Sequence, residues 1–91
     1  MVPRYGYVRR LVREYMAYAA SKEGGSVFTF NCRHLYRHLS RRGLRLVGVS
    51  VVWSVVLSEY GGAAIEAWVR NGRRHALIDR RKVVEILGVG G

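Results

Sequence analysis

Apolar residues recur at three-and-four spacing from Tyr5 onward, through Val8, Leu11, Val12, Tyr15, Met16 and Ala19. That repeat is the buried stripe of an amphipathic helix of about four turns. Arg9, Arg10, Arg13 and Glu14 fall off the stripe, and Pro3 suits an extended start or a first helical turn. Gly24-Gly25 ends the helix by supplying backbone freedom. Residues 26–30 are β-branched and aromatic between glycines and predict a short strand. Asn31 then caps a second helix, with Thr29 as the other candidate. Leu35 and Leu39, with Cys32 or Tyr36, make its inner face, and Gly43 stands where a C-terminal glycine belongs.

Residues 49–60 carry a conflict. Five valines and a tryptophan favour strand through stiff, branched side chains. Yet Val49, Val52, Trp53, Val56, Leu57 and Tyr60 keep helical spacing, and Ser50, Ser54 and Ser58 recur on the opposite face. Strict alternation fails at Val51-Val52 and Val55-Val56, so the pattern predicts a helix, terminated by Gly61-Gly62. Residues 64–70 and 73–79 flank Asn71-Gly72, the pair preferred in a two-residue hairpin turn. The implied register sets Ile65 against Ile78 and Ala67 against Ala76, with Trp68 against His75 and Glu66 against Leu77. Asp79 caps a last short helix that packs Val83, Val84 and Leu87 inward and ends at Gly88, with residues 88–91 expected to fray.

Composition narrows the partner. The 91 residues carry 16 Lys+Arg against 6 Asp+Glu, a net charge of +10, which points to polyanions. Length allows one α+β domain over 1–91, with its core over about 5–87. A single cysteine excludes an internal disulfide framework, and a cytoplasmic home is expected. No apolar leader follows the basic N-terminus, and residues 44–57 are too short to span a bilayer, so no membrane role is expected. The arginines come in three blocks: four over positions 4–13, five over 33–45 and five over 70–81, with none over 46–69.

The order helix, strand, helix, helix, hairpin, helix resembles a winged helix-turn-helix domain, as found in bacterial and archaeal DNA-binding proteins. The segments FTFNCRHLYRHLSRRG, VSVVWSVVLSEYGG and AIEAWVRNGRRHALID, within residues 26–87, carry the resemblance. It implies a hairpin that acts as a wing on nucleic acid and a third helix directed at the major groove. Here that third helix departs from the family, because Ser50, Val51, Ser54, Val55 and Ser58 replace the usual Arg, Lys, Asn or Gln at its outward positions. Sequence-specific reading is therefore not expected.

Arg70, Asn71, Arg73 and Arg74, at the hairpin tip, are the first candidates for phosphate contact. Arg33, Arg37, Arg41 and Arg42, extended by Arg45, form a second basic group; the first three share one helix face. Ser50 and Ser54 can touch phosphate or a base edge. Either group of arginines can also be a solvated face screened by salt. Arg4, Arg9, Arg10 and Arg13, with Tyr5 and Tyr7, make a third, weaker patch. Val51 and Val55 are either a homodimer or partner interface or a second buried face, and Trp68 is either a partner anchor or packed under the last helix.

Cys32, His34 and His38 form a C-x-H-x3-H run, with His75 available as a fourth ligand, but flanking arginines and poor convergence argue against a metal. Glycine-loop, nucleophile-elbow and paired-carboxylate patterns are missing from the sequence, so neither catalysis nor a cofactor is expected. The expected function is non-enzymatic binding of duplex DNA (RNA being possible) through its phosphates, as a transcriptional regulator or chromatin-associated, nucleoid protein. The competing expectation is a basic adaptor subunit of a replication, transcription or ribosomal assembly, docked through its apolar third helix.

Overall fold

The three-and-four repeat near the N-terminus forms α1, Tyr5–Lys22, which buries Val8, Leu11, Val12, Tyr15, Met16 and Ala20. Ala19 is only partly buried, so the stripe drifts by one residue at its end, as a period of 3.6 requires. A computed structural model describes residues 5–22, 25–41, 43 and 48–88. Pro3, Arg4, Gly24, Arg42, Arg45 and the expected tail beyond Gly88 lie outside the described residues.

β1, Val27–Asn31, runs directly into α2, Cys32–Arg41. Asn31 makes that junction: its Oδ1 accepts the His34 amide at 2.8 Å, which satisfies a donor at the first turn of α2. Thr29, the other candidate, lies inside β1. Gly43 has φ +68° and returns its N–H to the Ser40 carbonyl at 3.0 Å, closing the other end of α2. Asn31→Ala is expected to lower stability by about 1–2 kcal/mol, whereas Asn31→Asp keeps the cap. The midpoint of urea unfolding measures the difference.

Residues 49–60 are helical: α3, Val49–Tyr60, buries Val52, Trp53, Val55, Val56 and Tyr60. Spacing thus overrides strand propensity, because α3 packs on α1 and on the sheet side at once. The buried arc is rotated from the expected one. Val55 is fully buried and Val51 partly so, packed against the core, while Val49 and Leu57 are exposed. The interface reading of Val55 is therefore corrected, since a helix covered on two sides buries a wider arc than one stripe, while Val51 stays partly exposed at its edge. Gly61 keeps right-handed backbone at φ −58°, so the chain tightens into a 3-10 turn, Gly61–Ala63, before the sheet.

β2, Ala64–Arg70, and β3, Arg73–Asp79, form the hairpin, and the three strands pair antiparallel in the order β1-β3-β2. Asn71 at φ +53° and Gly72 at φ +73° give the two left-handed positions of a type I′ turn. Glu66–Leu77, Ala67–Ala76 and Trp68–His75 pair as expected. Ile65 does not pair with Ile78. A bulge between Ala64 and Glu66 sets Ala64 opposite Ile78 and turns Ile65 out to 56% exposure.

Asp79 accepts the Lys82 amide at 3.1 Å and starts α4, Arg80–Leu87, which ends at Gly88 with φ +65°. Val83 and Leu87 close the core against α1. The described residues thus form an α+β domain of four α-helices and a three-stranded antiparallel sheet, with its core between the helices and the Phe30, Ala76 and Ile78 side of the sheet. No described helix is long and apolar enough to cross a membrane.

Candidate nucleic-acid interface

Where β1 passes into α2, Asn31 does two jobs. Its carbonyl oxygen is committed to the cap, which turns Nδ2 toward His75 Nδ1 at 3.2 Å. An amide nitrogen only donates, so Nδ1 accepts and the imidazole proton sits on Nε2. His75 in turn stacks on Trp68 across the hairpin, with centroids 5.5 Å apart and planes 11° from parallel. Trp68 is thereby half-buried against its cross-strand neighbour.

On the other side of the sheet, Phe30 meets Trp53 edge-on at 5.2 Å, and the Arg74 guanidinium lies over the Trp53 ring at 5.5 Å. That contact orders Arg74 at the start of β3, beside the N-terminal half of α3. Cys32 accepts a hydrogen bond from Trp53 at the same place. Burial pushes the Cys32 thiol up to about 11, against the opposing pull of that bond and of Arg74. At neutral pH the group is a thiol. Alkylation by iodoacetamide at pH 7 is expected to run about a hundredfold slower than for an exposed cysteine and to rise about tenfold per pH unit. Mass spectrometry of the modified chain over pH 7–10 checks this.

Between α2, α3 and the start of β3 runs an open groove of about 1290 Å³. Arg33 and Arg37 line it from α2, Arg73 and Arg74 from β3, and His34 and His75 stand between them. Val49, Ser50, Trp53, Ser54 and Leu57 of α3 form another wall, with Tyr36 beside them. Burial holds the Tyr36 hydroxyl above its ordinary range, so it remains a neutral donor. Among the described residues, no acidic side chain lines the groove.

Of the residues singled out by sequence, the groove gathers Arg37, Arg73, Arg74, Ser50 and Ser54. Arg70 and Asn71 are exposed at the hairpin tip, and Arg41 is exposed further along α2; these three do not line it. Arg42 and Arg45 fall outside the described residues. Sequence reasoning passed over Val49 and Leu57, because their helical spacing placed them in the core. Arg33, one four-residue step before Arg37 on the same face of α2, lines the groove with it.

Other arginines are tied into the fold. Arg9 pairs with Glu59, Arg13 donates to the Leu87 carbonyl at 2.8 Å, and Arg80 donates to the Ala20 carbonyl. Two of these bonds satisfy carbonyls near the ends of α4 and α1, where the helix dipole favours a cation. The patch built on Arg4, Arg9, Arg10 and Arg13 is thus partly consumed by internal contacts.

The C-x-H-x3-H run does not converge. His38 packs against Tyr15 and Tyr18 at 5.5 and 4.6 Å between α1 and α2, while His34 lines the groove. Among the described residues no three His, Cys, Asp or Glu side chains are grouped to hold a metal ion. No protein-family model, curated protein or solved structure matches the chain.

Proposed function

We propose that this chain is a winged-helix-type, non-enzymatic nucleic-acid-binding protein that holds duplex DNA mainly through its phosphates. What carries the proposal is the composition of the groove, which four arginines and two histidines line from two elements, with no acidic side chain among the described residues that line it. Like charges held together cost stability unless an anion neutralises them. The element order, the sheet order β1-β3-β2 and the hairpin with its Arg70 and Arg73 flanks support the winged-helix assignment.

The division of labour follows from geometry. Arg73 and Arg74 line the groove from β3 and Arg33 and Arg37 line it from α2, so phosphates can be met from two elements. Arg70 and Asn71 extend the contact at the tip, and Arg41 extends it along α2. His75 offers its Nε2–H as a donor, oriented by Asn31. The six arginines named here would neutralise about six phosphates, which predicts a slope of log K against log salt of about −5. Titration of a labelled duplex at several salt concentrations tests this. A slope near zero removes the proposal.

A further inference from the structure

α3 is the wall of the groove that carries no charge. Val49 and Leu57 are 48% and 54% exposed, and both line the groove. Ser50 and Ser54 lie beside them, and these four leave α3 with no amide or guanidinium directed at the space between the two arginine pairs. What distinguishes Val49 and Leu57 from other exposed apolar residues is their place beside the arginines of the groove, where a bound polyanion would cover them.

A second copy of this chain fits poorly there. Its own four arginines would meet these four, and like charges across an interface oppose association. A DNA major groove fits on both counts. It presents phosphates along both rims, admits an α-helix, and offers apolar contact on its floor through the thymine 5-methyl group. Val49 and Leu57 are eight residues apart on α3, a rise of about 12 Å, or about three to four base pairs. Serine hydroxyls bond to either kind of base pair and do not discriminate.

Resting on the groove as a duplex-binding surface, we propose that the protein selects DNA by thymine methyl groups, which Val49 and Leu57 contact about three to four base pairs apart. Selectivity is then modest and chemical. Loss of one buried methyl corresponds to about a fourfold weaker complex, and loss of two to about fifteenfold.

The test uses the full chain and fluorescence anisotropy at fixed low salt. Duplexes of one A·T-rich sequence carry either thymine or uracil, which differ only in the methyl group. The expected result is about four- to fifteenfold weaker binding to the uracil duplex. A G·C duplex with 5-methylcytosine in place of cytosine is expected to bind more tightly than its unmethylated form. Val49→Ala/Leu57→Ala, at exposed positions, is expected to fold normally and to bind thymine and uracil duplexes with equal affinity. Equal affinity of the unaltered chain for thymine and uracil duplexes with the slope intact overturns the methyl proposal and leaves phosphate binding standing. Tighter binding to single strands than to duplexes overturns it too. Failure to bind any duplex at low salt overturns both.

Discussion

Val55→Glu is expected to leave the protein largely unfolded at pH 7 and 25 °C. Val55 is fully buried at the meeting of α3 with the rest of the core, among Val52, Val56 and Tyr60 on its own helix. Glutamate there forfeits the valine's burial and places a carboxylate inside the hydrophobic core. The cost is about 5 kcal/mol or more, comparable with the whole stability of a domain this size. Burial would hold the introduced carboxyl above its unfolded value. Stability would therefore be best retained at low pH and lost as pH rises through the raised value. Val51→Glu, at a partly buried position, is expected to cost about 1–2 kcal/mol and to stay folded. Thermal unfolding followed by circular dichroism at pH 4 and pH 7 distinguishes the two variants. A folded Val55→Glu protein with altered oligomeric state would return Val55 to the surface.

That contrast also marks where the sequence was legible. Asn31 and Asp79 as caps, Asn71-Gly72 as a type I′ turn, and Gly43 and Gly88 as helix ends all act through bonds within a few residues. Local chemistry of that kind reads directly from residue order. The rotation of α3 does not. Which of Val49, Val55 and Leu57 faces inward depends on α1 and the sheet, far away in the chain, and a serine row with valine or leucine on both sides of it does not fix the orientation. The bulge at Ile65 was hidden for a related reason, because a one-residue slip leaves the alternating pattern nearer the turn unchanged.

The arginines divide along the same line. Three sequence blocks look equivalent, yet Arg9, Arg13 and Arg80 bind partners on other elements, while Arg33, Arg37, Arg73 and Arg74 converge on one groove. Pairing over such separations is set by packing, which charge counting cannot resolve. Legible in advance were Arg73 and Arg74 beside the turn and the α2 face, but not that Arg70 and Asn71 lie off the groove; the wall contributed by Val49 and Leu57 depends on how α3 is oriented.

A second large effect follows from that division. Arg33→Gln/Arg37→Gln/Arg73→Gln/Arg74→Gln removes the four arginine charges of the groove while keeping a polar side chain at each position. Each phosphate contact contributes about 0.9 to the salt slope, so the slope should fall from about −5 to about −2. At about 0.1 M salt, duplex affinity should drop by about three orders of magnitude. The matched control, Arg9→Gln/Arg13→Gln/Arg80→Gln, alters net charge by nearly as much. It should lower stability by about 1 kcal/mol for each lost backbone bond, yet leave the slope within about one of the original.

The salt dependence of duplex binding, measured side by side for the unaltered chain and these two variants, tests the central claim most directly. A slope near −5 for the unaltered chain, cut to about −2 by the groove substitutions and nearly unchanged by the control, is the predicted result. Equal loss of slope in both variants would show that charge acts without an address, and would contradict the groove as the binding site.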